Sequence, residues 1–267
     1  LLKAASDAVD MAKEAGADDA WAGANRGRSV ELGYRDGALE KVQESTSRGL
    51  NLRLYVDGRY SAHSTTDLRP EQLKGFVAEA VAMTRALQPD PFRAIPDPAL
   101  FEGRSDADLQ LVDASLAAMT QEERLAMCAA IDGPARDHEK VISATSGLYD
   151  GHNLSAAASS NGFRGTYEGT SLWIGTEVSV QDEGDKRPQD WYWVGARHQS
   201  DLPSPEEIGR LCLERTLARL GSKKGPTQKT TMVVEPRSAG RLIGQLLGPA
   251  SARSVQQGRS FWADKIG

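Results

Sequence analysis

The sequence predicts an α+β fold, in which antiparallel sheets are flanked by helices. Three observations predict it. Apolar residues recur at helical spacing in Leu2, Ala5, Val9 and Ala12, and again in Leu73, Val77, Ala80 and Val81, a buried face that Thr84 extends. Between these stretches, Leu50 to Val56 alternates strictly between apolar and polar residues, the pattern of a half-buried strand. Asp36-Gly37, Asp57-Gly58 and Asn161-Gly162 supply the positive-φ residues that tight hairpins need.

The elements follow in order. The first helix ends at Gly16, a good C-terminal stop. Ala20 to Ala24 reads as a short apolar strand and Ser29 to Tyr34 as a second, with Val30, Leu32 and Tyr34 on one face. Leu39 to Ser45 is the return arm after Asp36-Gly37, and Leu50 to Val56 then turns at Asp57-Gly58 into Arg59 to Thr65. Pro70 opens a helix to about Leu87, proline being at home in a first turn. The unit is thus a helix, four or five antiparallel strands and a helix.

Pro89, Pro91, Pro96 and Pro98 mark a linker or extended strap. Thr120 and Glu123 form a capping box for a helix expected to stop after Ile131, ahead of Gly133-Pro134. Next come strands over Lys140 to Asp150 and Asn153 to Ser160, separated by a turn at Asp150-Gly151. Phe163 to Gln181 is one long bent strand or two strands meeting near Gly169, and Arg187 to Gln199 carries Trp191, Tyr192 and Trp193. A helix from Pro205 to about Leu220 and a strand over Thr230 to Val234 lead to a last helix and a Gly-rich exit. The expected division is 1–88, a helix–sheet–helix unit; 89–137, strap and helix; 138–225, a β-rich region with its closing helix; and 226–267, the opening of a further domain.

Composition and charge narrow the function. The chain has 267 residues, 39% apolar and 26% charged, the balance of a globular protein. A net charge of −5 lacks the basic excess of a nucleic-acid-binding surface, and Lys223-Lys224 fits a helix C-terminus. No apolar run reaches the ~18 residues that would read as a membrane span, and Leu1 starts no secretory signal. Cys128 and Cys212 lie in apolar helical patterns and are expected to be buried free thiols, which suits a reducing compartment, the cytoplasm. The chain begins without Met in mid-helix and ends just after a helix, so a longer parent protein is expected.

Few residues offer chemistry. His63, His138, His152 and His198 stand at no spacing that makes a zinc site. No G-x-S-x-G elbow, P-loop or dinucleotide fingerprint occurs. Ser159 to Gly162 reads as a turn, with a loop near a substrate path as its functional alternative. Alternation puts Trp191 and Trp193 on one strand face and Tyr192 on the other. Core packing is the plainer reading of the two tryptophans, and a peptide-channel wall or subunit interface the other. Phe261 and Trp262, flanked by Arg259, Asp264 and Lys265, favour an interface.

The terminal stretch, Val233 through Gly267, closely resembles a segment of the TldD/PmbA family, labelled modulators of DNA gyrase and read as paired cytosolic proteases. Arg35-Asp-Gly, Ser47 to Arg59, Ser64 to Leu68, Ser160 to Phe163 and Ala218 to Thr227 resemble the family in the same order, so the likeness covers most of the chain. In the family's zinc-bearing branch the last helix carries H-E-x-x-x-H. Counted back from Ile266-Gly267, those positions fall on Ile243, Gly244 and Gly248.

The resemblance therefore implies the PmbA/TldE branch: no catalytic or metal-binding residue in this chain, no cofactor of its own, and zinc in a TldD-type partner. It implies a non-catalytic subunit of a cytoplasmic metallopeptidase complex acting on unfolded or leader peptides, and makes 226–267 the start of the C-terminal domain. No nucleic acid and no membrane is expected as partner. The alternatives are a stand-alone binding or regulatory protein of the topoisomerase-modulator type, or a homodimer without peptidase activity. A hydrolase using residues beyond Gly267 is a third.

Overall fold

The computed structural model describes residues 1–105 and 107–265. They form two compact units, 1–222 and 223–267. The first unit holds α1 (Leu2–Glu14), β1 (Asp19–Arg35), β2 (Ala38–Val56), β3 (Arg59–Thr65), α2 (Pro70–Arg85), α3 (Ala114–Ala118), α4 (Gln121–Ala135), β4 (Val141–Ser159), β5 (Arg164–Val180), β6 (Gln189–Ala196) and α5 (Pro205–Leu217). The second holds α6 (Pro236–Leu247) and α7 (Ala252–Gln256).

The strands make one six-stranded sheet in the order β3-β2-β1-β4-β5-β6, every neighbouring pair antiparallel. The α+β reading with antiparallel strands and flanking helices holds. The sequence separates the strands of 1–88 from those of 138–225; in the structure β1 and β4 pair along their lengths and join them.

The strands are longer than the sequence suggests. Ala20 to Ala24 and Ser29 to Tyr34 are one strand of 17 residues, and Leu39 to Ser45 and Leu50 to Val56 lie in one of 19. At ~3.4 Å per residue such strands span about 60 Å. The expected turn at Asp150-Gly151 is absent, because β4 runs straight through it. The Asp150 carboxylate is taken by Arg124 of α4, with side-chain exposures of 5% and 4%. Gly151 is meanwhile paired to Ser29 on one side and Ser171 on the other. Ladder bonds on both edges outweigh a local turn preference.

Two further expectations are corrected. The α4 helix does not stop after Ile131 but continues to Ala135 with Pro134 in its last turn. The ring has no N–H to offer the Ala130 carbonyl four residues back, so the last turn runs one ladder bond short. The segment Thr230 to Val234 is not a strand; Met232 and Val233 are 71% and 92% exposed.

Every buried apolar residue of the central strands is even-numbered: Ala22 and Leu32 in β1, Leu52 in β2, Leu148 in β4 and Ile174 in β5 are examples. Register places these opposite one another, Ala22 against Leu52 and Leu32 against Leu148 against Ile174, so they share one face. The helices pack there, α1 and α2 over the β1–β2 end and α4 and α5 over the β4–β6 end. Gly209 lets α5 close on α4, since a methyl there would run into the Ile131 carbonyl. The odd-numbered residues form the other face, and among the described residues the α-helical cores of this unit all lie on the even-numbered side.

Candidate substrate face

Two features stand on this uncovered face. The first is an aromatic patch on β4, β5 and β6. Trp173 is paired with Gly195 and Trp193 with Gly175, so each tryptophan faces a glycine across the strands. A Cβ on Gly175 would stand 2.6 Å from the Trp193 indole, and one on Gly147 would stand 3.0 Å from its far edge. Glycine is a poor strand residue, and the ring covers the backbone it leaves bare. Trp173, Trp191 and Trp193 remain 49%, 46% and 37% exposed. Core packing of Trp191 and Trp193 is therefore wrong, although their shared face is right. Tyr192 is the one that points into the core, where the Arg215 guanidinium lies 4.8 Å from its ring.

The second feature is a hollow of about 900 Å³ at the other end of the sheet. Gly23, Ala157 and Gly165 sit side by side on β1, β4 and β5 and make a shallow floor. The Trp21 indole folds over Gly23 and the Phe163 ring over Gly165, and Tyr167 also lines the hollow. The Asn161-Gly162 turn leads into Phe163, with Gly162 at φ +95°, a region that glycine enters freely. Asn161 Nδ2 donates to the Pro96 carbonyl at 2.6 Å, which ties the proline-rich strap to the turn. Farther along the strap, Phe101 packs on Phe163 with centroids 4.9 Å apart. Arg104 donates to the Arg164 carbonyl at 2.8 Å, and Thr170 N–H donates to the Leu111 carbonyl at 2.9 Å. The strap thus follows the outer edge of β5, and Ser159 to Gly162 form a turn whose residues do not line the hollow.

Sequence reasoning missed Trp21 and Trp173. A signal was present: Trp21-Ala-Gly23, Trp173-Ile-Gly175 and Trp193-Val-Gly195 repeat the same spacing. Residues two apart share a strand face, so each triplet sets an indole beside a bare backbone.

Phe261 and Trp262 lie in the second unit, 57% and 40% exposed, with ring centroids 5.0 Å apart. Trp262 Nε1 donates to the Leu246 carbonyl of α6 at 2.8 Å. Ile243 and Gly244 lie on α6 and Gly248 directly follows it. The Ile266-Gly267 pair from which these positions are counted lies outside the described residues. Isoleucine and glycine carry no donor atom, so this helix does not fit zinc through those positions. Among the described residues no three His, Cys, Asp or Glu side chains gather as a metal site. The histidines are occupied singly: His63 with Ser61, His152 with Glu168, His198 with the Gln110 carbonyl, and His138 with the Lys140 N–H. Burial, then the Asp132 charge, pushes the Cys128 thiol up to about 12, and burial pushes Cys212 up to about 11. Neither is a nucleophile at neutral pH.

Comparison with known proteins gives a consistent picture. Residues 22–84 match the family model described as PmbA/TldA metallopeptidase domain 1, 114–220 match its central domain, and 227–267 its C-terminal domain. The chain is 28% identical over 269 aligned residues to Metalloprotease PmbA of Escherichia coli O157:H7, and 23% identical over 268 to a Metalloprotease PmbA homolog of Haemophilus influenzae. All of the chain is aligned in both, but it spans only 59% and 58% of those relatives. A crystal structure from Bacteroides thetaiotaomicron, described as a candidate modulator of DNA gyrase, superposes with a TM-score of 0.93 at 31% identity. That match covers 99% of this chain and 60% of the other. TldE from Thermococcus kodakarensis shares the fold, with a TM-score of 0.67 at 15% identity over 80% of this chain and 47% of that one.

Proposed function

The chain belongs to the PmbA/TldD metallopeptidase family, and from that premise we propose that it is a non-catalytic subunit of a peptidase complex, holding peptide for a zinc-bearing TldD-type partner. The observation that carries this reading is the uncovered sheet face. A sheet normally buries at least one face and solvates the other with polar residues. Here the solvated face displays Trp173, Trp191 and Trp193, with Trp173 and Trp193 over glycines, and toward its other end Trp21 over Gly23 at the rim of the hollow. Exposed aromatic groups over bare backbone suit an extended peptide, whose side chains can stack while its backbone stays hydrated or pairs with a strand edge. Such recognition tolerates many sequences, which fits a subunit serving unfolded or leader peptides.

The lack of donor atoms at Ile243, Gly244 and Gly248 supports placing the chemistry in the partner. The cytoplasm is the compartment we assign: both thiols are buried and free, and no described helix is long and apolar enough to cross a membrane. The test is to tag the full-length protein in its native cell and identify what is retained. A relative carrying H-E-x-x-x-H supports the reading, and retention of no peptidase at all counts against it.

A further inference from the structure

The hollow at the Trp21 end has a charge character that the general reading does not explain. The chain as a whole carries 37 acidic residues against 32 basic ones. Yet among the described residues lining the hollow none is Asp or Glu, while Arg104 and Arg164 both line it. A third guanidinium, that of Arg53, lies 4.5 Å from the Trp21 ring at the hollow's edge. Arg104 is exposed, with its guanidinium 5.4 Å from the Phe163 ring. A planar cation stacked on a ring keeps its in-plane N–H donors aimed outward, where a carboxylate can accept them. Asn25, Asn51 and Ser155 add neutral donors and acceptors around the floor.

Size and shape narrow the ligand further. About 900 Å³ suits two or three residues of an extended chain. The Trp21 indole lies over Gly23 and the Phe163 ring over Gly165, so the floor between the two rings is the Ala157 methyl, where an apolar or aromatic group can descend to the sheet. We infer that the hollow binds an extended acidic peptide, seating one aromatic side chain on this floor and pairing an adjacent Glu or Asp carboxylate with Arg104. The inference rests on the reading of this chain as a peptide-holding subunit and gives that reading a substrate class. Since Arg104 is tied to the Arg164 carbonyl, the strap that carries it is already docked beside the floor.

The experiment is calorimetric titration of the full-length protein with N-acetylated, C-amidated hexapeptides, which have no terminal charge. Three probes differ at one position: Phe-Glu, Phe-Gln and Phe-Lys at their centre. The Phe-Glu peptide is expected to bind about tenfold tighter than Phe-Gln, the scale of one charge-assisted hydrogen bond, with Phe-Lys weakest. R104Q should bring the Phe-Glu and Phe-Gln affinities together, and R104E should turn the preference toward Phe-Lys. A157L, which fills the floor, should abolish binding of all three with the melting temperature retained. Equal binding of Phe-Glu and Phe-Gln, a preference that survives R104Q, or binding that survives A157L in a folded protein would each overturn the inference, as would no binding of any probe. None of these results depends on a partner. The subunit reading fails separately, when mixing with the zinc-bearing relative yields no peptide cleavage.

Discussion

Trp193 lies over Gly175, the residue directly opposite it on the neighbouring strand, and reaches across to Gly147 one strand further in. The same relation holds in reverse between Trp173 and Gly195. Two large side chains thereby lie against a solvated sheet face, partly exposed, without occupying the core.

Replacing Gly175 by Val tests this arrangement. The new side chain would meet both the Trp193 indole and the Tyr192 carbonyl. The indole must swing outward, at a cost of about 1–3 kcal/mol, the range for overpacked sites. Urea unfolding should show that loss and tryptophan emission should shift to the red. An unchanged midpoint and unchanged emission would mean the rings do not rest on the glycines.

The buried pair between Arg124 and Asp150 gives a larger effect. Arg124 also donates to the Met119 carbonyl, so it fixes the start of α4 as well as the middle of β4. Asp150→Ala strands a guanidinium in the interior and should cost about 3–5 kcal/mol. The double replacement Arg124→Met with Asp150→Leu should recover much of that loss. Chemical denaturation of the three proteins checks both statements.

Two of the helix glycines, Gly209 and Gly75, are predicted to respond in opposite directions. Gly209→Ala pushes a methyl against the Ile131 carbonyl and should destabilise by about 1–3 kcal/mol. Gly75 is exposed within α2, and a Cβ there meets nothing within 4 Å. Gly75→Ala should stabilise by about 0.5–1 kcal/mol through helix propensity alone. Thermal melts of both variants beside the parent decide it.

Thiol chemistry follows from burial. Cys128 and Cys212 are raised from an ordinary 9.0 to about 12 and about 11, so at pH 8 neither forms a thiolate in the folded state. An aromatic disulfide reagent should label neither in the native protein and both in denaturant. Because the folded values are raised, the protonated thiols stabilise the fold fully below about pH 9. That contribution is lost as pH climbs from 9 toward the folded values. Stability measured from pH 8 to 11 should fall steadily and should flatten when both cysteines are replaced by alanine.

The long helices of the first unit were legible because each has a covered face, and periodicities such as Leu73, Val77, Ala80 and Val81 report that face directly. The continuity of the strands was not. Asp150-Gly151 carries a genuine turn preference, and what defeats it is non-local: Arg124 in a helix 26 residues away and strands on both sides. The uncovered face was hidden for a different reason. Along β6, Trp191 and Trp193 alternate with Tyr192 and Val194, so both faces look apolar. Only the packing of α4 and α5 shows which one is buried. The hollow depends on small residues, Gly23, Ala157 and Gly165, which carry little sequence signal until register sets them side by side.

The central claim is that this polypeptide holds peptide while a zinc-bearing relative cuts it. It is tested most directly by purifying the full-length protein, assaying its metal content, and following cleavage of an unfolded peptide alone and after adding that relative. The account predicts no stoichiometric zinc and no cleavage by the protein alone, with cleavage on mixing that exceeds what the relative achieves by itself. Stoichiometric zinc together with cleavage by the isolated protein would contradict it.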